Sequence, residues 1–199
     1  AQPYTHASGR KMSIKRMCVD SGGKAGVTEH VYRYCRARTD RGIFPVKGDV
    51  TRGKPLVGMP STRNRYRVPL FLLCVDTGKA DIVARLRMRE RGAGFIHFPK
   101  GLDEEFFRQL TAEKAIYKAK GREWIPTYPR NHVFDCFVYA LAGLRMLGGR
   151  AVRELGERAA EWSRSLEGDA PPASTESPGI QAKLPLRRRP RGWVDSWRR

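Results

Sequence analysis

PRNHVFDCFVYALAGLRML, residues 129–147, is the stretch on which the reading of this chain turns. From Phe134 its apolar positions fall at Phe137, Val138, Leu141 and Leu144, the spacing of a helix face. Val133, Ala140, Ala142 and Gly143 make the remainder nearly apolar, as in a helix buried on most sides. Asn131, just after Pro129, stands where a cap is expected. Asp135 is the anomaly, because it sits about one turn in with no Lys or Arg at 131, 132, 138 or 139 to neutralise it. Three partners can hold a carboxylate there: the positive end of the helix dipole, a buried Arg from another element, or a divalent cation shared with other acids. His132 lies three residues earlier on the same face, an H-x-x-D pair suited to a metal or a proton-transfer site.

Composition narrows the partners. The chain has 199 residues, a formal charge of +19 and a pI near 10.5. Such a balance points to a polyanion, nucleic acid before membrane. No apolar run reaches the length of a membrane span, and residues 1–11 lack the apolar centre of a signal peptide, so no membrane partner is expected. Cys18, Cys35, Cys74 and Cys136 are widely spaced without a C-x-x-C, and read as buried free thiols of an intracellular protein.

Residues 1–12 are polar and read as a frayed N-terminus. Residues 13–20, SIKRMCVD, alternate like a strand and end at Asp20 before Ser21-Gly22-Gly23. An acid at a strand's C-terminal end is where open α/β sheets place ligand groups, although a turn-forming Asp reads the same way. A helix over 27–38 and a strand at 43–47 complete a βαβ unit with an expected parallel pair. Residues 49–67 carry five Arg or Lys to one acid and read as a basic loop or ribbon. With Lys47 before it, its Arg52, Lys54, Arg63, Arg65 and Arg67 are candidate phosphate contacts, against the plainer reading of a solvated loop.

VPLFLLCV, 68–75, reads as a strand covered on both faces, followed by a helix over 80–88. Asp76 between them is a helix N-cap or, more weakly, a metal ligand. Lys79 in the first turn opposes the dipole and suits an anion such as DNA phosphate. FIHFP, 95–99, reads as a short strand, with His97 an edge residue rather than a ligand. Residues 102–118 read as helix, 121–128 as a turn or ribbon, and 148–166 as a charged helix. Residues 167–199 have the composition of a flexible linker and basic tail, in which Trp193 and Trp197 suggest a partner-docking segment.

Taken together, CVDSGG (18–23), FPVKGD (44–49), VDTGKADIVARL (75–86), HFP (97–99), QLTAEK (109–114), RNHVFDCFVYALAGLR (130–145) and GWVDSW (192–197) resemble the nuclease region of the lambda-type large terminase subunit of tailed phages. The resemblance covers about 13–147 plus the extreme C-terminus. It implies an α/β domain of ribonuclease H-like fold over 13–147 that cuts concatemeric double-stranded DNA during packaging. The family's first strand, hairpin and third acid have no counterpart in 1–12, so a partial nuclease lacking its first strands is expected. The upstream ATPase of such motors is also missing, as no G-x-x-x-x-G-K-[ST] occurs. The resemblance further implies Asp20 and Asp135 as ligands of Mg²⁺ or Mn²⁺ in a two-metal hydrolysis, with ions about 3.5–4 Å apart. His132, where lambda-type sequences tend to carry Glu, stands beside them. Implied partners are DNA, the terminase small subunit and the portal protein, in the host cytoplasm. The competing expectation is a catalytically incomplete module that binds DNA and docks on the portal.

Overall fold

The structure, a computed structural model, describes residues 4–5, 9–23, 26–119 and 121–168. Two residue pairs, β1 (Tyr4–Thr5) and β2 (Lys11–Met12), make a small antiparallel ladder in the segment expected to fray. A three-stranded parallel sheet follows, of β3 (Met17–Asp20), β4 (Ile43–Asp49) and β5 (Phe71–Cys74), in the order β3-β4-β5. Helix α1 (Val27–Arg36) makes the crossover from β3 to β4, so the βαβ unit and its parallel pair are present.

Strand alternation decides what faces what. Val19 and Ile43 pack with Val31, Cys35 and Val68 in a minor core on the α1 side. Cys18, Val46, Phe71 and Leu73 point the other way, into the main core. That core is closed by α2 (Val75–Leu86), α3 (Glu104–Leu110), the hairpin of β6 (Glu113–Lys118) and β7 (Gly121–Pro126), and α4 (His132–Met146). α4 buries Phe134, Val138 and Ala142, one turn apart each, against Leu56, Leu73, Ile82 and Leu110. Phe137 and Leu141 pack partly buried against the same core, so the expected stripe holds except at Leu144, which is left exposed. α5 (Gly148–Gly168) continues from α4, and Arg10 stacks on its Trp162 with 5.4 Å between guanidinium carbon and ring centre.

Several expectations need correction. The helix after VPLFLLCV begins at Val75, not Ala80, so Asp76 lies inside its first turn and Cys74 holds the N-cap position. FIHFP forms no strand; His97 packs edge-on against Phe95. The helix expected over 102–118 stops at Leu110, and Glu113 opens a strand. Cys136 is exposed and Cys18 only partly covered, so only Cys35 and Cys74 are buried thiols. The segment 56–61 of the basic loop runs antiparallel beside β5, with Cys74 N–H on the Leu56 carbonyl at 3.0 Å and Ser61 N–H on the Leu70 carbonyl at 2.9 Å. It thereby covers the outer edge of β5 and contributes Leu56 to the core. No helix among the described residues is long and apolar enough to cross a membrane. Trp193 and Trp197 lie outside the described residues.

Candidate active site

Asp20 ends β3 with the parity of Cys18, which directs it to the sheet face that α4 covers. Its Oδ1 accepts the Gly22 N–H at 2.8 Å, so the turn reading is realised, and the Tyr139 hydroxyl also hydrogen-bonds to this carboxylate. The turn is pinned beneath: Ser21 is fully buried with its hydroxyl on the Val46 carbonyl at 2.8 Å, and Thr28 donates to the Ser21 carbonyl at 2.7 Å. α4 brings Asp135 and, one turn on, Tyr139 toward this strand end, and the helix lies against Arg16 and Cys18 at Gly143. Burial pushes the Tyr139 phenol well up, with Asp20 and Asp135 adding negative charge beside it.

Asp135 stands in the first turn of α4, where the helix dipole favours a carboxylate, and its cationic partner is not an Arg but Lys79, whose ammonium lies 3.7 Å from Asp135 Oδ1. Lys79 is 8% exposed and donates to both Glu113 oxygens at 2.6 Å. Its ammonium also sits 5.3 Å from the centre of the Phe134 ring. Lys79 is therefore not the DNA-facing cation expected from sequence; its charge is directed inward. Glu113, 7% exposed, takes a further hydrogen bond from Asn131 Nδ2 at 2.7 Å. Asn131 thus occupies the cap position of α4 but spends its side chain on Glu113. Burial pushes the Asp135 carboxyl above its ordinary value; Lys79 pulls it back, while Glu113 and Asp20 push it further up.

The position of α2 makes this meeting possible. At Gly78 a Cβ would fall 2.8 Å from both Leu56 Cδ1 and Val138 Cγ1, so only glycine lets α2 approach α4 this closely. Lys79, the next residue, is carried into the gap between α4 and β6.

Asp76 belongs elsewhere. Arg122 Nε and Nη2 clamp its two oxygens at 2.8 Å each, and Trp124 Nε1 adds a third bond at 2.9 Å. These donors, Arg122 first, hold its carboxyl below the usual range. The cap reading of Asp76 gives way to a clamp tying α2 to β7, and a metal at Asp76 would compete with these three hydrogen bonds. His132 is exposed at the first position of α4, three residues before Asp135.

The basic candidates are spread. Lys47 shares strand parity with Ile43 and leaves the sheet on the α1 side, away from Asp20 and Asp135. Arg52 lies at the β6–β7 turn, near Gly121, and adds positive charge beside Asp76. Lys54 reaches Asp49 at 3.2 Å. Arg63, Arg65 and Arg67 are exposed around Tyr66, whose hydroxyl joins Glu29 and Arg33. Asn64 shapes this turn, accepting from the Tyr66 and Val68 N–H groups and donating to the Val68 carbonyl, with Arg67 at φ 50°.

The donor set at the cleft is hard oxygen, which suits Mg²⁺ or Mn²⁺. Asp20 and Asp135 are the carboxylates it offers, because Glu113 is engaged by Lys79 and Asn131. Among the described residues no group of three His, Cys, Asp or Glu is arranged to hold a metal ion.

Comparison with known proteins bears on this cleft. The family model described as terminase large subunit gpA, endonuclease domain, matches residues 1–156. The chain is 37% identical over 154 residues to the terminase large subunit of Escherichia phage lambda. It is 38% identical over 157 residues to that of Enterobacteria phage P21. Each alignment covers 72% of this chain and 24% of the relative, so the chain spans about a quarter of the length of the curated relatives it matches. No solved structure matches it.

Proposed function

The chain belongs to the gpA family of terminase large subunits, in its endonuclease domain, and from that premise we propose that the Asp20–Asp135 cleft hydrolyses phosphodiester bonds of double-stranded DNA with a divalent cation. The observation that carries this reading is the convergence of two acids from distant segments, with Asp135 kept half-buried on an apolar helix beside an internal cation. Burial of that kind costs stability and is retained where the charge has work to do.

A bound Mg²⁺ or Mn²⁺ would supply an activated water and neutralise charge developing on the phosphate. The chain's own residues do the rest. Asp20, fixed by the Gly22 N–H and the buried Ser21, and Asp135, fixed by Lys79, present oxygens from two rigid elements. Tyr139 shields their inner side. His132, exposed at the start of α4 three residues before Asp135, is the candidate for proton transfer. Arg63, Arg65 and Arg67 at the Tyr66 turn, and Arg52 at the β6–β7 turn, meet the phosphate backbone at a distance from the two acids, so that affinity is steeply salt-dependent. In this reading the domain is ribonuclease H-like and works as one part of a longer packaging motor, with an ATPase, the small subunit and the portal as partners in the host cytoplasm.

A second reading draws on the same carboxylates: with no group of three His, Cys, Asp or Glu arranged for a metal among the described residues, the chain could be a non-cutting module that binds DNA and docks on the portal. Nicking of supercoiled DNA in Mn²⁺ separates the two. The nuclease reading expects nicking by the parent chain and its loss in both Asp20→Asn and Asp135→Asn. A folded parent that binds DNA without nicking it favours the module, and nicking that survives Asp135→Asn places the chemistry at another site.

A further inference from the structure

We propose that Arg33, Arg65 and the Tyr66 hydroxyl form a phosphate-binding site for the backbone of duplex DNA on the α1 side of the sheet, and that the Glu29 carboxylate occupies this site until DNA displaces it. The inference rests on the DNA-binding part of the reading above and not on cleavage. Tyr66 packs against the minor core of Cys35, Ile43 and Val68, on the sheet face opposite the one to which Asp20 is directed.

Three donors from two distant segments converge on one carboxylate. The Tyr66 hydroxyl donates to Glu29 Oε2 at 3.2 Å, and Arg33 Nη2 stands 3.7 Å from the same oxygen. Arg65 Nη1 stands 3.8 Å from Oε1. Arg33 Nε in turn donates to the Tyr66 hydroxyl at 3.3 Å, and the guanidinium carbons of Arg33 and Arg65 each lie 5.9 Å from the centre of the Tyr66 ring. A phosphodiester offers what Glu29 supplies here, a single negative charge shared by two free oxygens, and guanidinium and hydroxyl donors serve both. The receiving groups are fixed from behind: Asn64 accepts the Tyr66 and Val68 N–H groups, and Tyr32 meets the Tyr66 ring edge-on at 6.4 Å. The occupant is held loosely by comparison. Both Arg–Glu contacts are long and all three side chains stand in water, where such pairs contribute little. Arg63 and Arg67 are exposed two positions to either side of Arg65. Glu29 therefore leaves the turn with an excess of positive charge, complementary to a polyanion that continues past the site.

The test is fluorescence anisotropy of a labelled duplex in EDTA at several salt concentrations, with every variant checked for folding by circular dichroism. Glu29→Gln should tighten binding about fivefold at low salt, the size expected for one unit charge about 4 Å away in water. Glu104→Gln makes the same change of charge at an exposed acid, paired with Arg108 on α3, and should tighten binding by less than about twofold. Arg33→Ala should lower the slope of log K against log salt by about 1. In the double variant Arg33→Ala with Arg65→Ala, the gain from Glu29→Gln should vanish. Equal gains from Glu29→Gln and Glu104→Gln would reduce the effect to net charge and overturn the inference. So would an unchanged slope in Arg33→Ala, or a gain that survives without both arginines. Weaker binding by Glu29→Gln would make Glu29 a latch that shapes the turn, again overturning it. Each of these failures, in a parent that binds DNA, leaves the nuclease reading intact; a folded parent that binds no duplex overturns the inference and the DNA-binding reading together.

Discussion

At residue level the two central aspartates of α2 and α4 respond to pH in opposite senses. Asp135 has its folded-state pKa raised, by burial first. Its contribution to stability is therefore complete below the unfolded value of about 3.9 and is lost as pH rises through the higher folded value. At neutral pH the ionised carboxylate weighs against the metal-free fold. Asp135→Asn is accordingly expected to melt higher than the parent at pH 7 without metal, with the gap closing below about pH 4, while Mn²⁺ should raise the melting temperature of the parent alone. Differential scanning fluorimetry across pH, with and without Mn²⁺, reads both effects. Asp76 behaves conversely: Arg122 first, then Trp124, hold its pKa down, so its contribution is present above the unfolded value and lost as pH falls through the folded one. Asp76→Ala strands Arg122 and should cost about 2–3 kcal/mol in urea unfolding, yet leave Mn²⁺ affinity unchanged. A matching loss of Mn²⁺ affinity would return Asp76 to the ligand set.

At the level of elements, the approach of α2 to α4 is the joint on which the cleft depends. Gly78→Ala places a methyl 2.8 Å from Leu56 and Val138 side-chain carbons, and overpacking of this kind costs about 1–3 kcal/mol. Because Lys79 rides on the same turn, the variant is expected to lose Mn²⁺ affinity as well as stability, which a titration of the folded variant checks. The elements also show what could be read in advance. β3, α1 and β4 were legible because Ser21-Gly22-Gly23 punctuates them, and because short apolar alternation carries a strand's facing with it. Asp135 stood out as an acid whose local surroundings did not explain it, and Asp20 by its place at the end of a strand before glycines. The start of α2 was hidden because VPLFLLCV remains apolar through the boundary, so nothing marks Val75 as helical. The end of α3 was hidden in the same way: Phe106, Phe107, Leu110 and Ile116 continue a helical count across Thr111, and the antiparallel pairing of Glu113 with Pro126 decides otherwise. Glu113 and the inward role of Lys79 were invisible for a further reason. Each is explained only by the other, 34 positions away, and a polar residue gives no sign of burial until its partner is placed.

For the whole molecule the excess of 39 basic over 20 acidic residues makes DNA affinity a question of counterions. Arg63 and Arg67 are exposed at the turn shaped by Asn64. Replacing both with Ala is expected to lower the slope of log K against log salt by about 2 and to weaken binding evenly across sequences. Fluorescence anisotropy at several salt concentrations measures this, and an unchanged slope would make that turn a bystander. The segment 56–61, lying along β5, has one more consequence. It closes that side of the sheet to further pairing, whereas β3 has no strand on its far side among the described residues. The sheet can therefore be extended in one direction only. Any strand supplied from elsewhere in a longer polypeptide would be laid down about 4.8 Å from β3, with its end beside Asp20, and could bring a new side chain to the cleft without disturbing the joint between α2 and α4.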